Sequence, residues 1–338
     1  MGPIRNSYKF LIFFGWSICF FACEKAPKPY ILDLPPGAPI PEIPVDNQLT
    51  ASRVALGKKL FFDPILSRDS SISCGSCHFQ DKSFADNRVI SPGIEGRLGL
   101  RNAPSLANMI YRDRFFYDGG VPSLELQVLA PIEDHNEMDF NSLDVVERLK
   151  NHPDYPAMIR DAYDSEPDVY ALTRAIAAFE RTLISGYSRY DRYAHQGDVN
   201  ALTTEEQRGM NLFFSNRTQC GTCHSGFNFS NEEFINIGQY SDYTADPGRR
   251  RVTALDSDIG KFKVPSLRNV AVTAPYMHDG SLATLESVID FFNIGGQAHP
   301  NKSPLIQPLG LTMQEKSDLI AFLKSLTDSE FLENPKFK

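Results

Sequence analysis

The sequence of 338 residues predicts a mainly α-helical fold built from two units related by internal duplication. Three observations lead there. A Cys-x-x-Cys-His pattern occurs twice, as Cys74-Gly75-Ser76-Cys77-His78 and as Cys220-Gly221-Thr222-Cys223-His224. The flanks of the two patterns repeat as well. Ahead of them, Gly57-Lys58-Lys59-Leu60-Phe61-Phe62 matches Gly209-Met210-Asn211-Leu212-Phe213-Phe214; after them, Pro104-Ser105-Leu106-Ala107-Asn108 matches Pro265-Ser266-Leu267-Arg268-Asn269. The second match runs without a gap through Asp118-Gly119 against Asp279-Gly280 to Leu124-Glu125 against Leu285-Glu286. Lastly, apolar residues recur at helical spacing, and long strands are not evident.

In chain order, residues 1–22 read as an export signal: Arg5 and Lys9 form the charged start, and Phe10 to Ala22 an apolar run too short to span a bilayer comfortably. Phe21-Ala22-Cys23 resembles a relaxed lipobox, in which cleavage before Cys23 leaves that thiol to be acylated as a lipid anchor. The alternative is a plain secretory signal cut nearby. Either way the protein is expected to be exported to the periplasm. Residues 23–48 carry prolines at 27, 29, 35, 36, 39, 41 and 44, which deny the stretch helix and sheet hydrogen bonds and predict an extended tether. The first unit, 49–190, opens near Thr50 with Val54, Leu56, Leu60 and Phe61 on one helical stripe that Asp63-Pro64 ends. A later helix, between Asp168 and Leu183, places Val169, Leu172, Ile176, Phe179 and Leu183 toward a core. Residues 185–200 form the connection. The second unit, 200–330, opens with Thr203 and Glu206 at capping-box positions. Its last helix opens likewise, with Thr312 and Glu315, and then buries Leu319, Phe322, Leu323 and Leu326.

Cys-x-x-Cys-His is the c-type haem attachment pattern: two thiols form thioethers with the haem vinyls and the adjacent imidazole ligates the iron. Two C-x-x-C pairs could instead make a four-thiolate zinc site, but such sites do not require a His after each pair, and these pairs lie in separate segments. The expectation is two covalent haems c, held by Cys74, Cys77 and His78 and by Cys220, Cys223 and His224, in two cytochrome c-like domains. If Cys23 is acylated, no cysteine remains for a disulfide. The balance of 34 basic against 42 acidic residues, without a dense basic run, argues against nucleic acid as a partner.

From about Thr50 to Asp328 the chain resembles the bacterial di-haem cytochrome c peroxidase family, which includes the MauG-like proteins. The resemblance rests on Leu60-Phe61-Phe62-Asp63-Pro64, Arg101-Asn102-Ala103-Pro104-Ser105, Leu124-Glu125-Leu126-Gln127, Glu137-Met138, and Leu267-Arg268-Asn269-Val270 followed by Thr273-Ala274-Pro275-Tyr276. It implies an enzyme that reduces hydrogen peroxide to water with electrons from a small cytochrome c or copper protein, with the His78 haem peroxidatic and the His224 haem receiving electrons. Two rival readings are a MauG-like oxidase of a protein or small molecule and a non-catalytic electron carrier. Breaking the O–O bond requires a group that moves a proton from the near oxygen to the departing one. Glu137 stands where the family has its distal carboxylate, and Gln127 where it has a distal glutamine. Asn102, with the carbonyls of Thr273 and Pro275, matches the family's calcium site, and oxygen-only donors suit that cation. Tyr117 falls where the family usually has a Trp between the haems, as a relay or packing residue. A homodimer is also implied.

Two departures stand out. Activation-dependent members have a loop His that caps the peroxidatic iron, and residues 91–101 contain none, so the first haem is expected to be open without prior reduction. At the second haem the family provides Met or Tyr as sixth ligand, and the aligned residue here is Phe292. Met277, His299 and Met313 are the nearby candidates, while His278 is expected to meet a haem propionate.

Overall fold

The computed structural model describes residues 1–2 and 27–338, so the expected export signal, with Cys19 and Cys23, lies outside the described residues. No helix among the described residues is long and apolar enough to cross a membrane. The first helix, α1 (Ala51–Phe62), starts where the Thr50 hydroxyl accepts from Arg53 N–H. It stops at Asp63, whose carboxylate turns to accept the Ile65 N–H at 2.9 Å. Helices α2 (Leu124–Gln127), α3 (Leu129–Glu133), α4 (Ser142–Lys150), α5 (Tyr155–Tyr163) and α6 (Val169–Glu180) follow, and α7 (Arg189–His195) lies in the connection. After it come α8 (Thr204–Phe213), α9 (Cys220–Cys223), α10 (Arg250–Thr253), α11 (Leu285–Ile294), α12 (Met313–Ser325) and α13 (Ser329–Glu333). The capping boxes expected at Thr203/Glu206 and Thr312/Glu315 are formed. The described sheet is one antiparallel pair, β1 (Phe234–Ile235) and β2 (Phe262–Lys263), with Phe234 opposite Lys263.

Buried apolar side chains form two clusters. One gathers Leu56, Leu60, Phe61, Leu172, Ile176 and Phe179; the other gathers Phe213, Leu285, Leu319, Phe322 and Leu326. The same contacts build both. α1 crosses α6 at Gly57, where a Cβ would overlap Ala175 O and press on Phe179 Cβ; α8 crosses α12 at Gly209, where a Cβ would overlap Asp318 O and press on Phe322 Cβ. Only glycine lets the backbones approach this far. The two repeated asparagines have one job each. Asn108 and Asn269, both left-handed at φ 63° and 59°, pin the chain just past the last helix of each cluster. Asn108 N–H donates to Leu183 O (2.8 Å) and its Oδ1 accepts from Ser185 N–H (2.8 Å). Asn269 N–H donates to Leu326 O (3.1 Å) and its Oδ1 accepts from Asp328 N–H (2.8 Å).

Two segments sit differently from a simple reading of the chain. The proline-rich stretch is extended but docked from Pro29 onward: Tyr30 N–H donates to Leu49 O at 3.0 Å, and buried Asn47 reaches Glu125 Oε1 at 2.8 Å. Proline blocks regular structure without preventing side chains such as Tyr30, Leu32 and Ile43 from covering the first cluster. The C-terminal segment leaves the second cluster for the first, where Phe331 and Phe337 set their rings 5.9 and 6.2 Å from that of Phe84.

Candidate functional site

The two Cys-x-x-Cys-His turns share one geometry. Cys74 O accepts from His78 N–H at 3.0 Å, and Cys220 O accepts from His224 N–H at 2.9 Å, so each pair of sulfurs and its imidazole are held on one tight turn. The residue after the first Cys is Gly in both, because a Cβ there would strike the ring of Phe62 or Phe214. Each imidazole is fixed through Nδ1, which lies 2.7 Å from Phe84 O for His78 and 3.0 Å from Phe229 O for His224. That bond places the ring proton on Nδ1 and leaves Nε2 as a lone-pair donor for a metal. Burial holds both imidazoles below their ordinary range, hence neutral, as an iron ligand must be. Burial also pushes the Cys77 thiol up to about 11, so that sulfur is a neutral thiol in the protein alone. Among the described residues no three His, Cys, Asp or Glu side chains converge as a metal cluster. Neutral sulfurs beside a neutral imidazole fit covalent haem at both turns.

On the far side of the first turn, Glu137 sits on a loop buttressed from behind. Its carbonyl accepts from Ile94 N–H at 2.9 Å, and a Cβ on neighbouring Gly93 would overlap Asn136 O. Residues 91–97, where a capping His would be sought, thus pack backbone against backbone on the Glu137 loop. Glu137 is an exposed residue, but protein crowding around its carboxyl, followed by the nearby Asp134, pushes that group up to about 7. Gln127, at the end of α2, has a buried Oε1 with no donor among the described residues. Such an orphan is stable only if something not yet in the site bonds to it.

A cavity of ≈ 320 Å³ opens beside the second turn, lined by Cys220, Cys223 and His224 on one side and by Met277, His278 and Phe292 on another. The first unit contributes Arg112, Phe116 and Tyr117 to its wall. Arg112 Nε is buried without a hydrogen-bond partner, with Glu232 Oε1 3.9 Å away, and a nearer anionic group such as a haem propionate would satisfy it. Tyr117 bridges the units through its backbone, its carbonyl accepting from Lys263 N–H at 2.7 Å, while burial pushes its phenol well above its ordinary range. His278 stacks on Phe262 at 3.8 Å, with Nε2 3.8 Å from Asp246.

The three candidate ligands of the second haem part company. Met313 opens α12 at 80% exposure and cannot reach the cavity. His299 lies outside its lining, with Nδ1 accepting from Asn301 N–H at 3.0 Å and 3.2 Å from Asn236 Nδ2. Sequence proximity misled for both, because the intervening loop and helix carry them away. Met277 does line the cavity, but its left-handed backbone (φ 75°) recurs at Phe116 (φ 64°), its repeat counterpart, which cannot ligate. The shared turn therefore accounts for that conformation. Asn102, Thr273 and Pro275 are brought together along one wall. The Asn102 amide nitrogen donates to Arg88 O at 2.7 Å, leaving its oxygen for a cation, but three neutral donors fill only part of a calcium shell.

Sequence reading missed Glu180, whose buried Oε2 has no partner. The available signal was its place on the apolar stripe of α6, four residues after Ile176.

The family model of di-haem cytochrome c peroxidases matches residues 51–200. The chain is 37% identical to cytochrome-c peroxidase IdrP1 of Denitromonas iodatirespirans over 89% of each protein. It is 38% identical to the methylamine utilization protein MauG of Methylorubrum extorquens, over 84% of this chain and 80% of that one. Among solved structures it is similar to a MauG-like protein associated with microbial copper homeostasis, with a TM-score of 0.87 and 37% identity over 91% of this chain and 99% of the other.

Proposed function

The chain belongs to the di-haem cytochrome c peroxidase family, and from that premise we propose that it is an exported di-haem peroxidase reducing hydrogen peroxide to water with electrons from a small cytochrome c or copper protein. The observation that carries this reading is Glu137, a carboxyl on a loop held by Ile94 and Gly93 and pushed up to about 7, where it can both take and give a proton near neutral pH. Bound haem would supply electron storage and, at an open iron, the place where peroxide is cleaved. The chain supplies the rest. His78 and His224 hold the irons, Glu137 moves the proton from the near peroxide oxygen to the departing one, and the Gln127 side chain orients peroxide. Tyr117, between the units, serves as packing or relay residue. Asn102 with the Thr273 and Pro275 carbonyls is the calcium site in this reading, residues 1–22 the signal, and Cys23 the anchor. The twice-built contacts around Gly57 and Gly209 support a duplicated cytochrome c-like unit, one on each side of the 185–200 connection.

Because residues 91–101 contain no His, and Gly93 and Ile94 instead brace the Glu137 loop, the all-ferric protein is expected to react with peroxide without prior reduction. Rapid mixing of all-ferric and half-reduced protein with peroxide, followed by absorption and EPR, checks this. A six-coordinate, bis-nitrogen first haem in the all-ferric state would refute it.

For the second haem, Phe292 lines the cavity with His224 at the place of the family's ligand. Phe292→Met, made together with Met277→Ala to remove the other cavity-lining thioether, is expected to give that haem a six-coordinate low-spin spectrum that Met277→Ala alone lacks. An unchanged spectrum would show that Phe292 does not face the iron.

A MauG-like oxidase is the second reading, favoured by the similarity to the MauG-like copper-homeostasis protein. Oxidation of a co-purified protein or small molecule by peroxide, faster than that of a donor cytochrome or cupredoxin, would select it.

A further inference from the structure

We infer that Glu180 is a haem-facing acid of the first unit that takes up a proton when that centre is reduced and releases it when the centre is oxidised. The inference rests on haem being carried at Cys74–His78. The two helix crossings superimpose residue on residue: Gly57 meets Ala175 and Phe179 as Gly209 meets Asp318 and Phe322. One residue further on, Glu180 therefore holds the place of Leu323. Leu323 lines the cavity beside Cys220 and His224. By that correspondence Glu180 belongs on the Cys74 side of the first unit, and its charge acts on the Cys74 sulfur. A carboxyl thus replaces leucine at the wall of one haem site and not the other.

Among the described residues no side chain pairs with it or hydrogen-bonds to its Oε2. Glu180 is 4% exposed. The adjacent cation is committed elsewhere: Arg181 makes a paired contact to Glu125 at 2.6 and 3.1 Å, and Asn47 adds a third bond to that carboxylate. The charged and titratable groups felt at Glu180 are the Arg181–Glu125 pair, and Glu180 in turn is felt at the Cys74 sulfur. A buried carboxylate without a partner is costly, so the acid stays protonated. Burial pushes it up to about 8, in line with that expectation.

The coupling balances as follows. When the first centre gains one electron from its donor, Glu180 Oε2 gains one proton from solvent, an O–H bond forms, and the charge inside the site is unchanged. Oxidation reverses both. Positive charge at the oxidised centre favours the carboxylate and its loss favours the acid.

Spectroelectrochemical titration of the first haem in the intact di-haem protein, repeated across pH, tests this. The midpoint potential is expected to fall by up to 59 mV per pH unit, the tenfold change in proton activity converted for one electron, over a window around neutrality. Glu180→Gln and Glu180→Leu should both reduce that slope, and by more than Glu137→Gln does. A slope absent from the parent, retained in both Glu180 variants, or lost only in Glu137→Gln would overturn the inference. Covalent haem content, measured by mass, separates this failure from failure of the haem assignment.

Discussion

Glu137→Gln is expected to lower kcat/KM for hydrogen peroxide by about 10²- to 10⁴-fold while leaving haem attachment and electron entry intact. The amide matches the carboxylate in shape but cannot accept the proton from the near oxygen, nor return one to the departing oxygen. The loop is held through the Glu137 main-chain carbonyl and the Gly93 contact, so side-chain substitution leaves the backbone in place. The pH dependence carries a sign. The carboxylate takes the first proton, so kcat/KM should rise with pH through an apparent value near the about 7 of Glu137, and the Gln variant should lose that limb. Steady-state peroxide consumption with a small cytochrome c or cupredoxin donor measures both. A variant that retains parental turnover would remove Glu137 from the chemistry, and a parent with no turnover would favour the carrier reading.

What could be read from the sequence was what depends on local pattern. The haem turns and the capping boxes are short-range devices, and the haem turns are legible twice; the close approach at Gly57 and Gly209 is not, because it depends on the helix that crosses each of them. The pairing of Asn108 with Leu183–Ser185 and of Asn269 with Leu326–Asp328 gives those repeated motifs their physical cause. What was not legible depends on long-range placement. Met313 and His299 lie near the second haem motif's partner segments in sequence, but a helix start and a loop face them away. The proline-rich stretch and the Phe331–Phe337 tail both cover the first cluster, and no periodic pattern announces a segment that packs by a few side chains. Glu180 was hidden by its surroundings, since a helix stripe that reads as core invites the reader to pass over its single acid.

Asp191→Ala is expected to destabilise the protein by about 3–5 kcal/mol, a large share of the roughly 5–15 kcal/mol typical of a folded domain. Asp191 and Arg268 form a two-point ion pair at 2.8 and 2.9 Å, with their side chains 0% and 1% exposed. Removing the carboxylate leaves a buried guanidinium with no counter-charge, only the Phe227 carbonyl at 2.7 Å and the face of the Phe227 ring at 4.0 Å against it. Burial alone would raise the Asp191 carboxyl, but its hydrogen bonds and charge contact with Arg268 outweigh that and hold it below the ordinary aspartate range. A folded-state value lower than the unfolded one means the stabilisation is complete above about pH 4, the unfolded aspartate value, and is lost as pH falls through the folded one. The variant should therefore lose most of its deficit relative to the parent in acid, a signature that a simple packing defect would not show. Denaturant unfolding at neutral and acid pH measures it, and Asp191→Ala combined with Arg268→Met should recover part of the loss by removing the stranded charge. The consequence is local as well as global. Arg268 stands where the first unit has Ala107, and it lines the cavity beside His224. The pair thus anchors α7, in the connection, to the wall of the second haem site and has no counterpart in the first. Loosening it should lower covalent haem at Cys220–His224 more than at Cys74–His78, which mass analysis of the two haem peptides would reveal.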